Sequence, residues 1–160
     1  MEDIAALDAQ QLRQAYSRLA AGTSVVTMMA QDGTKIGLTV SAVTSVSIEP
    51  PLMLVCINSK SRAIEALERG GTFVINLLAR SQETIGMQFA SREQDKFAGI
   101  AHYTTGTGAL YLTDTLANIA CIPHEMVPAG DHFVVIGRVT DVQIGGDAPP
   151  LVFFRSRFMV

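Results

Sequence analysis

A chain of 160 residues fits one domain, here 1–160, and leaves little room for a second. Its formal net charge of −3 and pI near 5.5, with no basic run anywhere, exclude the Lys/Arg density that nucleic acid or an acidic membrane surface would require. With 48% hydrophobic and 17% charged residues there is material for one sizeable core, and the sparse charge points to a surface partly covered by a partner subunit.

The opening MEDIAALDAQQLRQAY has no apolar core, so no signal peptide is expected. No apolar run reaches the roughly 18 to 20 residues that span a bilayer, and the expectation is a cytoplasmic protein. Leu7, Leu12, Ala15, Tyr16 and Leu19 fall near a helical period ahead of Gly22, which predicts a helix over 8–20 laying one apolar face on the domain. TSVVTMMA (23–30) reads as a strand, and Asp32-Gly33 in QDGTK as a hairpin turn. GLTVSAVTSVSIE (37–49) reads as one strand with an apolar face of Leu38, Val40, Ala42, Val46 and Ile48. Its other face carries Thr39, Ser41, Ser45 and Ser47, and no charge precedes Glu49. Pro50-Pro51 breaks the chain before LMLVCIN (52–58), which is apolar on both faces and so central.

SRAIEALERGG (61–71) predicts a helix capped by Ser61 and stopped by Gly70-Gly71. TFVINLLA (72–79) reads as a buried strand, and SQETIGMQFA (81–90) as a short helix with Ser81 as cap and Glu83 in its first turn. The Gly-rich stretch from Ser91 to Tyr111 reads as a loop. Antiparallel strands complete the chain: ALYLTDTLANIACIPHEMV, the turn PAGD, HFVVIGRVTDVQI, the turn GGDAPP and LVFFRSRFMV. Many short strands with two or three helices predict a mainly β (α+β) fold, a closed or nearly closed antiparallel barrel with peripheral helices.

Several chemistries are absent. There is no P-loop and no GxGxxG; GTGALY (106–111) has Tyr111 where the third Gly belongs. His102, His124 and His132 lack ligand spacing, so no metal is expected. No Ser or Cys stands beside a base in a nucleophile motif. Cys56 and Cys121 sit in apolar runs and read as buried free thiols.

A small-residue hydroxyl strand has two readings. It is a solvated edge face, the commoner case on periodicity alone, or a wall that lets a planar ligand approach the backbone, whose N–H groups and hydroxyls bind heteroatoms. Asn58, Ser59, Ser61 and Arg62 in NSKSRA sit where a central strand gives way to a helix, an arrangement suited to a phosphate or to an ordinary cap. Together these features describe a flat heteroaromatic head with a phosphate tail, as in a flavin mononucleotide. His132 follows a Gly-containing turn as either a turn residue or a donor at a pocket mouth, and Arg155 and Arg157 share one face of the last strand.

GLTVSAVTSVSIEPPLMLVCI, NSKSRA, FVINLL, QFAS, the GDH triplet at 130–132 and LVFFRSRF, in that order from about Tyr16 to Phe158, closely resemble the flavin reductase-like family. These are the short-chain reductase components of two-component flavin-dependent monooxygenases. The resemblance implies an FMN-binding split barrel, a homodimer with flavin near the subunit interface, hydride transfer from NADH or NADPH to FMN or FAD, and release of reduced flavin to a separate oxygenase. It places Thr39, Val40, Ser41 and Ala42 along the isoalloxazine, and Ser45, Val46 and Ser47 beside the ribityl chain. Asn58, Ser61 and Arg62 fall on the phosphate, and Phe89, Ala90, Ser91 and Arg92 on a second flavin-contacting segment. His132 matches a catalytic helper near the nicotinamide side of the flavin, and Arg157 a basic residue near the C-terminus that is counted with the cofactor-binding residues. Two rivals remain open: a flavin carrier without activity, and a split-barrel flavoprotein acting on its own small substrate.

Overall fold

Asp32-Gly33 turns the chain between β2 (Ser24–Met29) and β3 (Lys35–Val40) in the computed structural model, which describes residues 7–159. Gly33 adopts φ +80°, and the Asp32 carboxylate accepts from the Thr34 N–H at 2.9 Å, the local chemistry that makes Asp-Gly a turn. The stretch beyond is not one strand. β3 ends at Val40, Ser41 and Ala42 form a corner, and β4 (Val43–Ser47) pairs with β5 (Leu52–Asn58).

That corner decides the architecture. With β6 (Phe73–Leu77), β9 (Ala117–Ala129) and β10 (His132–Ile144), these strands form a seven-stranded antiparallel sheet in the order β3-β2-β6-β9-β10-β5-β4. β3 and β4 are its opposite edges, yet only two residues separate them. Consecutive Cα atoms lie about 3.8 Å apart, so two residues join the edges only if the sheet curls round on itself. The Cys56 N–H donates to the Ala42 carbonyl at 3.0 Å, carrying the β5 pairing into the corner. The result is the expected mainly β barrel with helices outside it. The corner also swaps the faces: Val40 is buried and Val43 packs on the core, whereas Val46 is 48% and Ile48 is 91% exposed. The alternation read across 38–48 therefore holds for β3 and fails beyond it.

β2 has core on both sides. Val26 and Met28 face the barrel interior with Val55, Ile57, Phe73, Ile75, Cys121 and Val135. Val25 faces an outer core with Leu78, Phe89, Phe97, Leu110 and Leu151. The helix α2 (Arg62–Glu68) starts at the expected cap, the Ser61 hydroxyl accepting from the Ala63 N–H at 3.2 Å, and adds Ala63, Ile64, Ala66 and Leu67 to the inner core. α3 (Glu83–Ala90) packs outside β3. Its start differs from expectation: Ser81 lies inside a 3-10 turn, Arg80–Gln82, and the Gln82 carboxamide accepts from the Ala79 N–H at 3.0 Å. Gly37 of β3 is where Phe89 of α3 rests, and a Cβ there would come within 2.3 Å of the ring.

The expected loop from Ser91 to Tyr111 is more ordered than its composition suggests. It contains β7 (His102–Thr104), which pairs with β8 (Leu110–Leu112), and it buries Phe97. A buried polar network holds this hairpin to the barrel. The Asn76 Nδ2 donates to the Val25 carbonyl at 2.8 Å and to the Thr27 hydroxyl at 2.9 Å. Its Oδ1 accepts from the Leu112 N–H at 2.9 Å and from the Asn118 Nδ2 at 2.7 Å.

Two expectations at the ends are corrected. α1 (Ala9–Tyr16) forms, capped by Asp8, but buries no residue; Tyr16 is 64% and Leu19 72% exposed, so its apolar side is not laid on this domain. The last segment is a hairpin, β11 (Val152–Phe154) and β12 (Arg157–Met159), with Arg155 and Ser156 in the left-handed region at φ 50° and 60°. Arg155 is thus in the turn and does not share a strand face with Arg157. β11 also pairs with β1 (Ala21–Gly22) to make a small three-stranded sheet.

Candidate functional site

Three neighbouring cavities surround the end of β3. The first, about 300 Å³, is a slot at the corner, walled by Leu38, Thr39, Val40, Ser41 and Ala42 on one side and by Cys56, Asn58 and His132 on the other. Small side chains leave the corner's main chain accessible to a flat guest. Strand register explains the far wall, because His132 at the start of β10 pairs with Asn58 at the end of β5. His132 is oriented by its neighbour: Nδ1 lies 2.7 Å from the Asp131 carboxylate, an acceptor only, so Nδ1 carries the proton and Nε2 is left for a guest. The same hydrogen bond, followed by the imidazole's charge, holds the Asp131 carboxyl below its usual range.

The second cavity, about 520 Å³, adjoins the slot at Leu38 and is cationic. Lys35, Arg62 and Lys96 line it with Ser61, against one carboxylate, Glu93. Lys96 Nζ donates to the Phe89 carbonyl at 2.9 Å, and partial burial lowers its pKa. Lys35 is also anchored: its Nζ lies 2.7 Å from His102 Nε2 and 5.9 Å from the centroid of the Phe97 ring. His102 Nδ1 lies 2.6 Å from the Ile100 carbonyl, so Nδ1–H donates there and Nε2 accepts from the lysine. The third cavity, about 220 Å³ and mostly apolar, lies between Val40, Ala90, Phe153 and Phe158 and shares Thr39, Val40 and Ser41 with the slot.

A slot lined by small side chains beside a cluster of cations narrows the ligand class, and comparison with known proteins decides the family. Residues 16–160 match the flavin reductase like domain. The chain belongs to the flavin reductase-like family. It is 35% identical over 153 residues to the reductase subunit HsaB of a flavin-dependent monooxygenase from Rhodococcus jostii, covering 96% of this chain and 78% of that one. It is 36% identical over 153 residues to a Streptomyces coelicolor protein named actinorhodin polyketide dimerase, covering 96% and 86%. Among solved structures, the Streptomyces globisporus NADH:FAD oxidoreductase SgcE6, in complex with NAD and FAD fragments, superposes with a TM-score of 0.89 at 27% identity, covering 96% and 92%. As a flavin reductase-like protein the chain is an oxidoreductase.

Placed on this flavin reductase-like barrel, the residues singled out in the sequence divide. Thr39, Val40, Ser41, Ala42, Asn58 and His132 meet in the slot, Ser61 and Arg62 in the cationic cavity, and Ala90 in the apolar one. Ser45, Val46 and Ser47 lie past the corner on β4 and line none of the three. Phe89 is fully buried, edge-on to Phe97 with centroids 4.9 Å apart, so its ring supports the wall from behind and offers no surface to a ligand. The Ser91 hydroxyl donates to the Gln88 carbonyl at 2.7 Å and accepts from the Glu93 N–H at 3.2 Å, tying off α3. Arg92 and Arg157 are exposed and line none of these cavities. The Thr39 hydroxyl donates to the Gly86 carbonyl at 2.6 Å, so it fastens β3 to α3.

Sequence reasoning missed Lys35, Lys96 and Cys56. Lys35 opens the strand that carries the hydroxyls, a visible signal, whereas Lys96 arrives from a loop folded over α3 and has no local signature. Cys56, expected to be buried, is only half-buried and lines the slot, while Cys121 is buried and its thiol is pushed up to about 12 by desolvation. A thiol reagent at neutral pH is therefore expected to modify Cys56 and spare Cys121, with FMN or FAD slowing the reaction at least about tenfold by filling the slot. Peptide mapping by mass spectrometry checks both parts; equal labelling with and without flavin would remove Cys56 from the site.

Proposed function

We propose that this chain is an NAD(P)H-dependent flavin reductase that takes hydride from a nicotinamide onto FMN or FAD and supplies the reduced flavin to a separate monooxygenase. The observation that carries this reading is the adjacency of the corner slot to the cavity of Lys35, Arg62 and Lys96, the two sharing Leu38 as a wall. The donor set fits the cofactor: main chain and small side chains for a planar ring, then two lysines, a guanidinium and a hydroxyl for phosphate. When bound, the flavin supplies the hydride-accepting chemistry.

The chain's own residues bind, orient and exclude water. Arg62 and Ser61, at the start of α2, hold the phosphate end, with Lys35 and Lys96 opposite. Asn58 and the Nε2 of His132 face the ring from the far wall, and Asp131 keeps that nitrogen free by engaging Nδ1. His132 is therefore a helper that hydrogen-bonds the flavin rim or orients the nicotinamide. Replacing His132 with Ala is expected to reduce kcat/KM for NADH or NADPH by roughly tenfold, the scale of one lost hydrogen bond to a bound ring. Unchanged NAD(P)H oxidation kinetics would remove the role.

The exposed Tyr16, Leu19, Val46 and Ile48 support a homodimer in which α1 and β4 meet a second copy. A cytoplasmic location is part of the same proposal; no helix among the described residues is long and apolar enough to cross a membrane. The likeness to a protein named for polyketide dimerisation favours one second reading, a flavin-dependent enzyme with its own organic substrate. One assay separates them: purified protein, FMN or FAD and NADH or NADPH, followed by nicotinamide absorbance. Turnover is expected without any further substrate; no loss of either nicotinamide with either flavin would overturn the reductase reading.

A further inference from the structure

The two lysines of the cationic cavity are fixed without being neutralised. The ion pairs among the described residues join Arg69 to Glu65 and His132 to Asp131, and neither lysine takes part. Lys96 is held by the Phe89 carbonyl and Lys35 by the His102 imidazole, both uncharged acceptors. A carboxylate in either place would cancel the charge that an anion needs. An imidazole nitrogen orients the ammonium of Lys35 with one hydrogen bond and leaves its charge and its other two N–H groups for a ligand.

His102 itself does not line the cavity; it stands behind Lys35 and is held from several directions. It opens β7, where it pairs with Leu112, whose N–H donates to Asn76 in the buried network of the barrel. Phe97 packs edge-on to the imidazole, with ring centroids 5.2 Å apart, and Nδ1–H is committed to the Ile100 carbonyl. Turning the ring would break that bond, so Nε2 keeps one direction, toward Lys35 Nζ at 2.7 Å. Fixing a lysine side chain costs rotamer entropy, and here folding has met that cost before any ligand arrives. Resting on the reductase reading, which seats the flavin phosphate in this cavity, we propose that His102 is a positioning residue for the flavin. It holds Lys35 in place for the phosphate and so sets the preference for phosphorylated flavin over riboflavin.

The test measures FMN and riboflavin binding to flavin-free protein by flavin fluorescence, with a Tm for each variant. His102→Phe keeps a flat ring against Phe97 and removes the acceptor; it is expected to weaken FMN about fivefold, the scale of one exposed hydrogen bond to a charged group. Riboflavin, which has no phosphate, is expected to stay within about twofold. His102→Gln, whose carboxamide oxygen can accept from Nζ, is expected to restore FMN binding to within about twofold of the unchanged protein. Lys35→Met is expected to weaken FMN about tenfold, and adding His102→Phe to it to cost nothing more, because the histidine acts through the lysine. Equal weakening of FMN and riboflavin by His102→Phe would reduce His102 to a packing residue and overturn the proposal. Losses that add in the double variant, or FMN binding that His102→Phe leaves unmoved, would overturn it as well. Failure of the reductase reading is seen separately, as absence of NAD(P)H oxidation by the unchanged protein with flavin bound.

Discussion

Replacing Ser41 with Trp is expected to weaken FMN and FAD binding by about 100-fold, roughly 2.7 kcal/mol, while moving Tm by no more than about 2 °C. The two effects separate because of where Ser41 stands. Its side chain is exposed and outside both hydrophobic cores, so enlarging it displaces nothing that holds the barrel together. Yet it walls both the slot and the apolar cavity, and an indole there occupies the space a flat ligand needs. Fluorescence titration of flavin and a thermal melt on the same preparation measure both quantities. A Trp variant that binds flavin as well as the unchanged protein would move the site away from the corner.

The largest loss of stability is expected from Asn76. Exchanging it for Leu keeps the volume and deletes its side-chain hydrogen bonds, so that the Val25 carbonyl, the Thr27 hydroxyl, the Leu112 N–H and the Asn118 carboxamide, among others, each lose a partner in a buried place. At about 1–3 kcal/mol for each stranded group, partly relieved by rearrangement, the expected cost is about 4 kcal/mol. For a chain of this length that corresponds to a fall in Tm of roughly 10 °C. Urea unfolding is expected to give a lower midpoint at an unchanged slope. A shift under about 3 °C would mean that solvent or a rearranged hairpin satisfies those groups. Since Asn76 lies in none of the three cavities, the folded fraction should still bind flavin normally.

The elements were legible wherever the local chemistry was self-sufficient. Asp32-Gly33 and the Ser61 cap appear in the structure as read, because turn residues and a capping hydroxyl act within a few residues. LMLVCIN forms a strand between β10 and β4, but only Val55 and Ile57 are buried, and its other face, with Leu54 and Cys56, is half-exposed. The corner was not legible. Thr39 to Ser47 alternates well enough to pass for one strand, and only the pairing of its two halves with β2 and β5 shows that the chain changes sides at Ser41-Ala42. The region 91–111 was misread for a similar reason: Phe97, His102 and Leu110 gain their order from α3, Lys35 and Thr27, all remote in sequence. Thr39 to Ala42, Asn58 and the remote His132 line the slot, and Ser61 and Arg62 the cationic cavity, whereas Lys96 carries no local signal. Lys96 and Cys56 become functional candidates only through what folding places beside them. Phe89 shows the converse, since a residue next to the site in sequence can serve it from behind.

The two-residue corner has a bearing on the protein's behaviour when its ligand is scarce. β3 and β4 are both sheet edges, and an unshared edge is a template on which another chain can add a strand. Lys35 at the start of β3 places one charge against that hazard, but the end of the strand and the corner after it, from Leu38 to Ala42, carry none. A flat guest seated at the corner covers the uncharged end. Recognition and colloidal protection thus share the same few residues, and preparations stripped of flavin should be the first to aggregate.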